Sequence, residues 1–99
     1  EGGDYKMYKV TEYNGDYQIE DQVLWHEEFN SFRAANWAAN KLYYYPDDLK
    51  TNKLNDYYVL VEKFKAGDPM SLGLPLIAYT RNGPLTNEAL VEFLGLFSF

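Results

Sequence analysis

The chain has 99 residues, 46% of them apolar and 18% aromatic, and no cysteine. That excludes a disordered segment, a disulfide scaffold, a thiol nucleophile and a Cys-ligated metal site. Its formal charge of −6 falls entirely between Val10 and Phe32, where six carboxylates (Glu12, Asp16, Glu20, Asp21, Glu27, Glu28) meet no Lys or Arg. The rest of the chain balances nine acids against nine bases.

No apolar run approaches the roughly 20 residues of a membrane span, so no membrane contact and a cytoplasmic location are expected. One domain is expected over residues 7–99. Residues 1–6, ahead of Met7, read as a tag or linker remnant or a disordered N-terminus, with a cleaved leader before Glu1 as the competing account.

The first unit reads as a hairpin. Tyr8 and Val10, then Tyr17 and Ile19, alternate with polar neighbours around Asn14-Gly15, a pair suited to a type I′ turn. A two-residue loop there would set Val10 opposite Ile19 and Lys9 opposite Glu20. The second strand continues through Val23, Trp25 and Phe29, with Asp21 on the apolar parity marking a bulge.

A helix follows from Asn30 or Ser31 to Tyr45, where Pro46 stops it. Ala34, Trp37, Ala38, Lys41, Leu42 and Tyr45 recur at three-four spacing and define its expected buried stripe. On that reading Tyr43 and Tyr44 flank the stripe or lie exposed. Tyr57 to Lys65 is a strand with apolar residues on both faces, which suits the centre of a sheet. Leu74 to Thr80 is another strand, with Pro75 near its start. Asn82-Gly83-Pro84 turns the chain into a second helix, capped by Thr86 and ended by Gly95. Leu96, Phe97 and Phe99 are apolar enough to pack back on the body.

The expected fold class is therefore α+β, a single small domain in ββαββα order. Its four-stranded sheet is antiparallel or mixed, with both helices packed on one face. Trp37, Leu42, Val59, Val61, Leu90 and Leu94 form the expected core. Truncating a core Trp37 would cost about 3–5 kcal/mol.

Catalytic vocabulary is sparse. His26 is the only histidine, and one imidazole among carboxylates cannot supply the three or four N or S ligands of a zinc site. No calcium loop, phosphate-binding loop, dinucleotide fingerprint or nucleophile elbow is present. No cofactor, metal or catalytic residue is therefore expected. Direct nucleic-acid binding is disfavoured as well. The tyrosines could stack on bases, but the lysines are scattered and no basic groove accompanies them.

What remains is recognition. A single-sign patch steers partners of opposite charge, and tyrosine is common at interface hot spots. The expectation is a small acidic, non-catalytic interaction domain, an inhibitor or adaptor. Glu12, Asp16, Glu20, Glu27 and Glu28, with Tyr43 and Tyr44, would bind a basic surface of a protein partner. In its sharpest form the carboxylates imitate nucleic-acid charge in a basic groove, a mode that phage-type inhibitors can use. Two alternatives are an assembly subunit docking through Leu96, Phe97 and Phe99, and a small enzyme using His26.

Overall fold

The computed structural model describes residues 6–46, 54–67 and 73–95. Seven elements follow the chain: β1 (Lys6–Asn14), β2 (Val23–Phe29), α1 (Phe32–Tyr44), β3 (Tyr57–Lys65), β4 (Leu74–Thr80), β5 (Gly83–Leu85) and α2 (Asn87–Leu94). The five strands form one antiparallel sheet in the order β2-β1-β3-β4-β5. The α+β class holds, and the sheet gains a fifth short strand. Among the described residues no helix is long and apolar enough to cross a membrane.

β3 is the central strand, and from Tyr57 to Glu62 every residue is buried. Its odd residues Tyr57, Val59 and Val61 join Val10, Tyr79 and the α1 residues Ala35, Ala39 and Tyr43 in one core cluster. Its even residues Tyr58 and Leu60 join Tyr13, Ala78 and Leu90 of α2 in a second. Successive side chains of a strand point to opposite faces. The helices therefore lie on opposite faces of the sheet, not on one as the layer argument anticipated.

α1 starts where the sequence indicates, with Ser31 Oγ accepting from the Ala34 N–H at 3.1 Å. Its buried stripe is rotated from the expected one. Ala35, Ala39 and Tyr43 face the sheet, while Trp37 is 64% exposed and Tyr45 also faces solvent. The cause lies in the sheet, which already presents the rings of Tyr57 and Tyr79 beneath the helix. Alanines leave room for them, and Tyr43 stacks on Tyr57 at 5.6 Å and 16° between ring planes. An indole would overfill the same gap. Val59, Val61 and Leu90 are buried as expected, whereas Leu42 and Leu94 are only partly so.

The first hairpin departs most from expectation. Val10 pairs with Glu27, not Ile19, because the connection runs from Gly15 to Gln22 and includes a short 3-10 turn, Glu20–Gln22. A type I′ turn needs positive φ at both central residues. Among the described non-glycine residues only Gln18 and Asn87 have it, and Asn14 does not. Side-chain bonds hold the longer loop. Tyr17 OH donates to Glu62 Oε2 at 2.6 Å, the Gln18 N–H to Tyr13 OH at 3.2 Å, and the Asp16 N–H to Gln22 Oε1 at 2.8 Å. Gly15 takes φ 138°, a conformation that favours glycine, and a Cβ there would also displace the Gln22 amide that accepts from the Asp16 N–H. Asp21, where a bulge was expected, lies in the 3-10 turn ahead of β2, and the bulge falls instead at Leu24, the extra residue between Val23 and Trp25 opposite Tyr13 and Glu12.

Two smaller differences complete the comparison. Asn82-Gly83-Pro84 does not lead straight into the helix. Arg81 and Asn82 reverse the chain, Gly83 takes φ 96°, and Gly83–Leu85 pairs with Ala78–Thr80 before α2 begins. Pro75, which has no N–H to donate, lies beyond the reach of β5, where among the described residues β4 is a sheet edge on that side. Lys6, assigned to the N-terminal segment, already opens β1 opposite Lys65. Residues 1–5 lie outside the described residues, as do Leu96, Phe97 and Phe99.

Three variants test this packing. Leu60→Ala, at a fully buried site, should lower unfolding free energy by about 2–5 kcal/mol. Trp37→Ala should change it by about 0.5 kcal/mol or less, as is usual for surface sites, in place of the core-type loss. Thr11 Oγ1 is buried with no hydrogen-bond partner among the described residues. Thr11→Val should therefore stabilise, by about 1 kcal/mol. Urea titration of the four proteins side by side reads all three.

Candidate protein-interaction surface

Among the described residues β2 is an outer strand, paired on one side only, with β1. Its residues from Leu24 to Glu28 are exposed, as are Ile19, Glu20 and Asp21 just before it. Glu27 and Glu28 point to opposite faces of the sheet and bracket the free edge. Glu28 stands opposite Lys9, and His26 opposite Thr11. Three large apolar residues are interleaved with the acids. Leu24 is 51% exposed, Ile19 46% and Trp25 38%.

The predicted site residues separate into two groups. Asp16, Glu20, Glu27, Glu28 and Tyr44 are exposed. Glu12 and Tyr43 are not. Glu12 is 9% exposed and accepts the Tyr57 hydroxyl at 2.5 Å, and Tyr43 is 6% exposed within the α1 core. Neither can contact a partner, which corrects their assignment. Tyr44 packs edge-on against Tyr79 at 5.9 Å and keeps part of its ring in solvent.

Glu12 is one of a pair. Glu62 is buried on the opposite face of the sheet and accepts from Tyr17. Each carboxylate thus receives a tyrosine hydroxyl, which offsets part of the cost of burying it. Burial first, then the neighbouring glutamate, pushes the pKa of both Tyr17 and Tyr57 well above the usual value near 10. Burial, followed by Tyr13, Asp16 and Glu62, moves Tyr58 the same way.

A second exposed surface was not anticipated. Along α1, Lys41 Nζ lies 5.1 Å from the Trp37 ring and 5.4 Å from the Tyr45 ring. Beside them runs an open groove of about 400 Å³ lined by Phe32, Arg33, Asn36, Trp37, Asn40 and Tyr79. At one end of the sheet lies a larger cleft of about 580 Å³. Three-four spacing had signalled a stripe on α1, but spacing cannot say which of two stripes faces the sheet. The cleft joins residues from four separate segments, a juxtaposition without local signal.

His26 lines neither cleft. Among the described residues no group of three or more His, Asp or Glu side chains could hold a metal ion. Comparison with protein-family models, curated proteins and solved structures gives no match.

The tyrosines set an alkaline limit. The unfolded chain loses phenolic protons above about pH 10, while the native state retains them on Tyr17, Tyr57 and Tyr58. The native state then binds more protons, so stability is complete below that pH and falls as pH rises beyond it. Melting temperature should drop through this range together with a rise in tyrosinate absorbance, and Tyr57→Phe should flatten the drop.

Proposed function

We propose that the chain is a small, non-catalytic, cytoplasmic interaction domain of inhibitor or adaptor type. Its acidic sheet edge binds a basic surface of a protein partner. The observation behind this reading is that Ile19, Leu24 and Trp25 are exposed among Glu20, Asp21, Glu27 and Glu28 along an open strand. Charges alone have a simpler use. Charged side chains on an outer strand keep it from pairing with other chains. Exposed aliphatic and aromatic side chains serve no such purpose, and they have the form of interface anchors ringed by charge.

The division of labour follows from the physics. Carboxylates at the rim raise association rate and salt sensitivity, whereas buried apolar anchors slow dissociation. A nucleic-acid-binding groove is a surface of suitable sign for this edge, and such a partner would release its DNA or RNA on binding.

The test combines Glu20→Lys, Glu27→Lys and Glu28→Lys. Thermal stability should change little, because exposed charges contribute little to folding individually. Capture of a basic partner should fall by about tenfold or more and lose its salt dependence. If the variant folds normally and captures its partner with unchanged affinity and salt slope, the edge is only a protected strand. The Trp37, Lys41 and Tyr45 face of α1 would then be the better candidate.

A further inference from the structure

The cleft at the end of the sheet has a lining that selects for charge. Asp16 comes from the loop after β1 and Asp56 from the turn before β3. Arg81 and Asn82 come from the β4–β5 turn, and Phe93 and Leu94 from the end of α2. The Gly15 N–H donates to the Asp56 carbonyl at 3.1 Å and ties two of these segments together.

Its aromatic wall is built in layers. Tyr58 and Phe93 meet edge to face at 5.0 Å and 88°. Tyr13 stacks behind Tyr58 at 5.0 Å, and Tyr17 stands edge-on to Tyr13 at 6.0 Å. Tyr58 is buried behind this contact and Phe93 is the exposed ring, and ring faces attract cations. Neither the Asp16 nor the Asp56 carboxylate has a side-chain partner among the described residues. Asp16 is near enough to Tyr58 for its charge to act on that phenol.

We propose that this cleft receives a cationic side chain, the guanidinium or ammonium group of an arginine or lysine on the protein partner. The carboxylates of Asp16 and Asp56 pair with the charge. Phe93, the exposed ring of the wall, holds the alkyl stem and the face of the cation. The proposal rests on the reading of the partner as basic, and it adds a specific anchor beside the acidic edge.

Arg81 gives the idea a sharp internal check. It lines the same cleft, and its charge also reaches Tyr43 on the α1 face of the sheet. Two carboxylates against one guanidinium leave the cleft negative, so an anion would be repelled. A bound cation would be opposed by Arg81, so removing that residue should help it.

The experiment titrates the whole chain with N-acetyl-arginine methylamide and N-acetyl-lysine methylamide, using the norleucine analogue as the uncharged control. Nuclear magnetic resonance or calorimetry follows binding. The cationic probes should bind saturably and about tenfold more tightly than norleucine, in keeping with a desolvated cation–aromatic contact joined to two carboxylates. Asp16→Asn with Asp56→Asn should remove most of that preference, and Phe93→Leu should weaken binding about threefold. Arg81→Ala should tighten it. Each variant is checked for an unchanged melting curve, and Phe93, 41% exposed, tolerates replacement by another apolar residue.

Equal binding of norleucine overturns the proposal, and so does weaker binding by Arg81→Ala, because the cation would then not be held where the Arg81 guanidinium opposes it. The Glu20, Glu27 and Glu28 triple variant should bind the small probes normally. If it does not, the probes sense general charge and the cleft assignment fails. Loss of partner capture by the triple variant with no probe binding in the cleft leaves the edge reading standing alone. The reverse pattern leaves the cleft standing alone.

Discussion

Most of this structure follows from the absence of a free face on β3. From Tyr57 to Glu62 its side chains are covered above and below, so both surfaces of the sheet must be roofed. Two helices and a loop do this. α1 covers Tyr57, Val59 and Val61, α2 covers part of the other side over Ala78 and Leu60, and the loop after β1 brings Tyr17 down onto Glu62. A domain of this size has little apolar volume to spare, and burying one strand completely is an economical way to concentrate it.

The same constraint explains the tyrosines. With rings from both faces entering so thin a core, many hydroxyls end near the middle of the molecule, and each needs an acceptor. Glu12 and Glu62 meet that need on the two faces, and Asn36 does so for Tyr79 at 2.5 Å. Two of the chain's carboxylates therefore serve the interior. The charge that looks uniform along the sequence is divided by the fold into buried acceptors and a solvent-facing edge. Glu12 belongs with the first set despite its place beside Asp16.

The strands and helices could be read in the sequence because their signals are local: alternation in Tyr57–Lys65, Ser31 before an alanine-rich run, Gly95 after a short apolar helix. The failures share a cause as well. The Asn14-Gly15 turn was a sound local inference that lost to distant partners, since Tyr13 and Tyr17 hold the longer loop through Gln18 and Glu62. The α1 stripe was correct in period and wrong in phase, because the phase is chosen by rings on strands far away in sequence. Glu12 and Tyr43 were misplaced for the same reason, and the cleft, assembled from four segments, left no local trace. Glu27 and Glu28, by contrast, lie exposed on β2, where strand character had put them, while Glu20 is exposed in the 3-10 turn ahead of that strand.

The position of the indoles has an optical consequence. Trp37 is on the outer side of α1 and Trp25 on the free edge, so the interior of the protein is tyrosine without tryptophan. Native tryptophan emission should already resemble that of a hydrated indole, and unfolding should shift it little. Tyrosine absorbance, with its phenols held in hydrogen bonds, carries the signal from the core. The two chromophores thus divide the molecule between them. One reports on surfaces available for contact, and the other on the integrity of the fold.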